Sequence, residues 1–140
     1  MKVQTSRFGE IDVDESKIIE MRGGILGFNR LNRFVMIVHE EGSPFQWFQS
    51  LEDGSIAFIT MNPFIIKSDY EPEIDDRTIE MLEIDKAEDI DLMVILTVRS
   101  EPVKMTANLR APLVINKRKK LASQVILEDE QYPVQYNINE

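Results

Sequence analysis

The sequence contains no cysteine and a single histidine, His39, in 140 residues. Without thiols there is no thiolate nucleophile, iron–sulfur cluster, CxxC redox pair or cysteine-ligated structural zinc. One imidazole cannot build a His-rich zinc site. It can serve as a lone general base, but a triad also needs a positioned nucleophile. No G-x-S-x-G elbow is present, and Ser43, Ser50 and Ser123 sit in ordinary contexts, so His39 reads as a non-catalytic surface residue. The chain also lacks an apolar run of the ~18 residues that a membrane helix needs. Its opening, MKVQTSRFGE, has no apolar stretch of the signal-peptide kind. These absences predict a cytosolic protein without membrane association.

Apolar residues make up 43% of the chain, enough for one domain over residues 1–140 with its own core and no disulfide or metal staple. Acids outnumber bases 25 to 16, for a net charge of -9 at pH 7. The excess is local. Between Asp69 and Asp91 stand eleven acids and only two bases, Arg77 and Lys86, so this stretch alone carries -9 and the other 117 residues are neutral. A field of that sign repels polyanions and attracts basic protein surfaces.

Hydrophobic periodicity is mostly two, the period of strands. Val3 and Thr5, then Ile11 and Val13, alternate around Arg7-Phe8-Gly9 as the arms of a hairpin, with residues 18–21 continuing that sheet. Three glycines in five residues, Gly23, Gly24 and Gly27, supply the positive-φ positions of a sharp turn. The turn leads into the strand-like 34–38, so it opens no helix and is no phosphate loop. Further strands are expected at 45–51, 56–61, 92–98, 106–109, 113–116, 122–127 and 132–138. Asp53-Gly54 marks a hairpin and Asn62-Pro63 a strand end. Asp75 is placed to cap a short helix over 76–82, with a second turn over 86–89. The fold class is therefore all-β and mainly antiparallel, a small barrel-like domain with one or two short helices.

Clustered acids raise two chemistries, hydrolysis and calcium binding. Paired carboxylates leave an acidic hydrolase open, but the acids lie in a polar stretch with little apolar surface to raise a pKa. An EF-hand starting at Asp69 would have Ile74 where glycine belongs, and no glycine occurs up to Asp91. No catalytic, metal or cofactor site is assigned. Lys117-Arg118-Lys119-Lys120, with Tyr132 and Tyr136, leaves a direct RNA-binding module as the other alternative. A solvated hairpin tip is the preferred account of those four cations. Phe45, Trp47, Phe48 and Phe64 are more large aromatics than one strand face and its neighbouring loop need, which makes some of them candidate protein anchors.

Several motifs fall in a family order. Gly24-Ile25-Leu26-Gly27-Phe28, Ser43-Pro44-Phe45, Phe48-Gln49-Ser50, Asn62-Pro63-Phe64 and Asp69-Tyr70 are followed by the most specific block, Thr106-Ala107-Asn108-Leu109-Arg110-Ala111-Pro112-Leu113-Val114-Ile115-Asn116, and then Ala122-Ser123-Gln124-Val125-Ile126-Leu127. In this the chain resembles the bacterial flagellar assembly factor FliW family. It departs at Leu26, where the family usually has proline, and at Phe48, where leucine is common.

The resemblance implies a non-enzymatic, cytoplasmic protein without cofactor that binds two partners, flagellin and the RNA-binding translational regulator CsrA. Flagellin is engaged through its C-terminal helical region, and CsrA is antagonised noncompetitively with RNA, which frees flagellin translation. No direct nucleic-acid binding is expected, and the free protein is expected to be monomeric. Asp69, Glu71, Glu73, Asp75 and Asp76 are the expected CsrA-facing acids. Phe45, Trp47 and Phe64 are the flagellin candidates, and Asn108, Leu109, Pro112 and Asn116 are the motif residues.

Overall fold

The computed structural model describes residues 1–38, 40–100 and 103–138; His39 lies outside the described residues. The strands are β1 (Lys2–Thr5), β2 (Gly9–Asp12), β3 (Ile19–Met21), β4 (Arg33–Ile37), β5 (Phe45–Ser50), β6 (Ala57–Met61), β7 (Ile90–Ser100), β8 (Val103–Ala107), β9 (Leu113–Asn116), β10 (Leu121–Gln124) and β11 (Tyr136–Asn137). Two short helices, α1 (Pro63–Ile66) and α2 (Asp76–Met81), lie between β6 and β7. The large sheet runs β11–β8–β7–β6–β5–β4–β3–β10–β9, and β9 returns to pair with β7. That last pairing closes β3, β4, β5, β6, β7, β9 and β10 into a barrel. Every pair is antiparallel except β3 with β10, as the period-two pattern predicts.

Residues opposite each other in a ladder share a face. Phe34 opposite Ser50 and Phe48 opposite Phe58 therefore point the same way, and their rings fill the interior. Phe34 and Phe48 are fully buried and stacked, with centroids 4.4 Å apart and planes 1° from parallel. Ile19, Met21, Met93, Leu113, Ile115 and Ala122 complete this inner core. Two further apolar clusters lie outside the barrel wall, one around Tyr70, Leu109 and Tyr132 and one around Leu82, Val114 and Leu121.

The structure corrects four boundaries. β3 does not extend the N-terminal hairpin: β1 and β2 form a sheet of their own, and β3 pairs with β4 and β10. The expected strand at 106–109 ends at Ala107. Leu96 faces Ala107 while Met93 faces Leu113, so two residues of β7 oppose the five of 108–112. This segment bulges out between β8 and β9, with the Asn108 N–H still donating to Ile95 O. β10 stops at Gln124 because the next amides turn to the bulge, Val125 N–H to Pro112 O and Leu127 N–H to Arg110 O. The last strand keeps only 136–137, since Pro133 has no N–H and its carbonyl serves Leu109 N–H instead.

The glycine turn leads from β3 toward β4. Gly24 has φ +71°, and a Cβ there would lie 2.5 Å from Asn29 Cα, whereas Gly27, at φ +85°, has open space around it. Gly27→Ala should therefore cost about 1 kcal/mol, the left-handed penalty alone. Gly24→Ala should cost at least ~2 kcal/mol more because the backbone must also move. Urea midpoints of the two variants measure the difference.

Candidate functional site

The acidic stretch 69–91 wraps the outside of the barrel as a strap with an apolar underside. Tyr70 is buried, its ring edge-on to Tyr132 at 4.8 Å, and its hydroxyl donates to Leu109 O at 2.6 Å. Burial pushes the Tyr70 phenol pKa up, first by desolvation and then through Tyr132. The Tyr132 hydroxyl accepts from Glu71 N–H at 3.0 Å. Further along, Leu82 is fully buried against Val114 and Leu121, with Ile74, Met81 and Ile84 packed beside it. Fully burying a leucine side chain is worth about 2 kcal/mol, so the underside fixes the strap in place.

Within the strap, Asp75 caps α2 as its sequence position predicts, the carboxylate accepting from Thr78 N–H at 2.9 Å. Beyond the C-cap Leu82 the chain turns out of the helix at Glu83, a non-glycine residue with φ +54°, and Ile84 N–H reaches back to Ile79 O. Such an end ordinarily takes glycine. Here Asn116 compensates. Its fully buried side chain donates from Nδ2 to Leu82 O at 2.9 Å and Glu83 O at 3.1 Å. The same amide accepts at Oδ1 from Arg118 N–H and Lys119 N–H, at 3.1 and 3.2 Å. Two donors and two acceptor positions are thereby used, joining the helix end to the β9–β10 turn.

This attachment divides the acids. On the 83–91 side, Glu83 is paired with Arg22 at 3.0 Å and Lys119 at 3.1 Å, and Arg118 bridges Asp85 at 2.7 Å and Asp89 at 3.4 Å. The expected solvated tip at 117–120 is thus a hairpin turn that commits two of its cations to the strap. On the 69–80 side, Asp69 pairs with Lys67 and Asp75 serves its cap. Glu71, Glu73, Asp76 and Glu80 are exposed and make no ion pair among the described residues.

Hydrogen bonds from Lys67, Thr78 and Lys119 hold Asp69, Asp75 and Glu83, in turn, below the usual carboxylate range, with Arg22 adding to Glu83. That direction is the opposite of what a general acid needs. The pairing of Arg22 with a residue 61 positions away carries no sequence signal. The basic run 117–120 does carry one, but its pairing with the strap emerges only from the fold.

The aromatic candidates separate. Phe45 and Trp47 lie on the outer face of β5; Phe45 packs into the Tyr70 cluster. Trp47 is half-buried under Arg7, whose guanidinium sits 4.0 Å from the ring centroid, and against Phe8. Phe64, on α1, is 45% exposed beside Ile65 at 61%, 6.1 Å from the Tyr70 ring. Of the three, Phe64 presents the most apolar surface.

The motif residues hold structure. Asn108 Oδ1 accepts from Arg110 N–H and Ala111 N–H, shaping the bulge. Leu109 and Pro112 are buried, and their carbonyls receive Tyr70 and Val125. Among the described residues no cluster of three or more His, Cys, Asp or Glu side chains is arranged to hold a metal ion. No helix among them is long and apolar enough to cross a membrane.

Comparison with known proteins adds a family to this geometry. The family model described as FliW protein matches residues 2–138. The flagellar assembly factor FliW of Syntrophus aciditrophicus (strain SB) is 52% identical over 138 residues, covering 99% of this chain and 87% of the relative. That of Bacillus licheniformis is 42% identical over 132 residues, 94% of this chain and 92% of the relative. A crystal structure of the flagellar assembly factor FliW superposes with a TM-score of 0.91 at 36% identity, over 100% of this chain and 98% of that one.

If Asn116 anchors the strap, Asn116→Ala leaves buried carbonyls and amides unpaired and should cost on the order of 3 kcal/mol. Lys119→Ala, which removes only a half-exposed ion pair, should cost under about 1 kcal/mol. Urea denaturation of both variants checks the ranking.

Proposed function

The chain belongs to the FliW family of flagellar assembly factors, and from that premise we propose that it works by exchanging two partners, flagellin and the translational regulator CsrA. Free of flagellin, it captures CsrA at a site other than the RNA-binding surface and relieves repression of flagellin translation. When flagellin accumulates, flagellin occupies it and CsrA is released to repress.

The observation that carries this reading is the set of unpaired acids on the 69–80 side of the strap. A docked basic regulator would meet Glu71, Glu73, Asp76 and Glu80 as four carboxylates outside any ion pair among the described residues, against a single cation of that segment, Arg77. Their field opposes the approach of an RNA phosphate backbone without covering the base-reading site, which is how a noncompetitive antagonist would act. Asp69 and Asp75 belong to the same surface, with their carboxylates already engaged. For flagellin, an amphipathic helix needs apolar contact. Phe64 and Ile65 supply it, backed by Phe45 through the Tyr70 cluster, with Trp47 contributing less.

The test keeps Asp75, because its cap holds α2. The quadruple change Glu71→Lys, Glu73→Lys, Asp76→Lys and Glu80→Lys should raise the concentration needed to inhibit CsrA–RNA binding at least roughly tenfold at ~50 mM salt. The effect should shrink as salt screens the field. Phe64→Ala should weaken flagellin binding and leave CsrA inhibition intact. Undiminished inhibition by the quadruple variant at low salt contradicts the electrostatic mechanism.

A further inference from the structure

A second charged feature lies at the open end of the barrel, where the acidic stretch runs into β7 at Asp91. Side chains that alternate inward along the strands end there in a cavity of about 460 Å3. Its floor is the last layer of the inner core, Ile19, Met36, Met93 and Ile115, contributed by β3, β4, β7 and β9. Its rim carries Lys17, Lys117 and Lys120 against one carboxylate, Asp91. None of these four groups forms an ion pair among the described residues; the Lys120 ammonium donates to Lys117 O at 2.6 Å. In a chain of net charge -9, this is a locally cationic ring around an apolar floor.

Barrel mouths with an apolar floor and a few convergent polar groups are a common form of ligand site. We propose that this one binds a carboxylate carried on a short apolar stem, the head on the lysine rim and the stem on the four-residue floor. Three features suit that chemistry. The rim's cations are all lysines, point charges that attract an anionic head without the two-pronged fork by which arginine orients carboxylate and phosphate alike. Asp91 reduces the excess charge and disfavours a dianion more than a monoanion. Two side-chain amides, Gln46 and Asn62, also line the rim. The Gln46 amide has no partner among the described residues, and the Asn62 Oδ1 is occupied by Phe64 N–H, which leaves its Nδ2 to donate. Those donors suit a carboxylate head, whether on a free alkyl acid or on the last residue of a peptide.

This site is independent of the partner exchange proposed above, because it uses none of the acids or aromatics assigned there. The probes are octanoate, octanol, octylammonium and the peptide acetyl-Ala-Ala-Leu with a free terminus, titrated while the methyl resonances of Ile19, Met36, Met93 and Ile115 are followed by NMR. Octanoate or the peptide should shift those methyls saturably, and the tighter of the two identifies the source. Octanol and octylammonium should bind at least about tenfold more weakly. Lys17→Glu combined with Lys117→Glu should weaken carboxylate binding roughly tenfold while leaving the thermal unfolding midpoint within a few degrees. Octanol binding as tightly as octanoate, shifts scattered away from the mouth, or carboxylate binding unchanged in the double variant would overturn the proposal.

Discussion

One buried amide ties the acidic strap to the barrel wall at the end of α2. Asn116 closes β9, the strand whose return to β7 completes the barrel, and its side chain ties the C-terminal end of α2 to the turn that begins β10. The strap has little regular structure of its own: six residues of helix and one turn. Helices so short are unstable alone, so its conformation depends on what it packs against. Leu82 supplies the burial, and Asn116 supplies the polar pairing that offsets the cost of burying the backbone around it. At the other end of the strap the Tyr70–Leu109 hydrogen bond does the same, on a bulge shaped by Asn108.

Fixing the strap has an electrostatic consequence. A flexible acidic tail would present a diffuse average charge, whereas a clamped one holds its carboxylates at set positions. The clamp also decides which of them stay available. The turn anchored by Asn116 brings Arg118 and Lys119 against Asp85, Asp89 and Glu83, leaving the field to the acids on the α2 side. The Asn116 clamp thus helps to order the strap and decides which part of its negative charge is paired. The cationic barrel mouth is governed by the neighbouring geometry, since Lys117 and Lys120 flank the same turn.

Much of this was legible in the chain. Alternating apolar residues identify the β class, Asp75 identifies the start of α2, and the density of acids identifies the strap. The clustered glycines identify a sharp turn, while the lack of room for a side chain at Gly24 emerges only from its approach to Asn29. The features that were not legible depend on distance in sequence. Nothing near residues 108–112 signals that two residues of β7 will face five, because a bulge is defined by register with its partner. Nor does the run of four cations at 117–120 declare that half of it pairs with acids about 30 residues earlier. The aromatics at 45, 47 and 64 read alike as apolar anchors, and only their neighbours separate the well-covered from the exposed.

The central claim is that the strap is part of the barrel's cooperative unit rather than a mobile acidic loop. Native-state hydrogen exchange of the unmodified protein tests this most directly, at Ile84 N–H, which closes α2, and Lys117 N–H, which donates to Asp89 O. The account predicts that both exchange only with an opening close in free energy to that of barrel amides such as those of β5. Exchange of Ile84 and Lys117 at nearly unprotected rates, with β5 still protected, would contradict it.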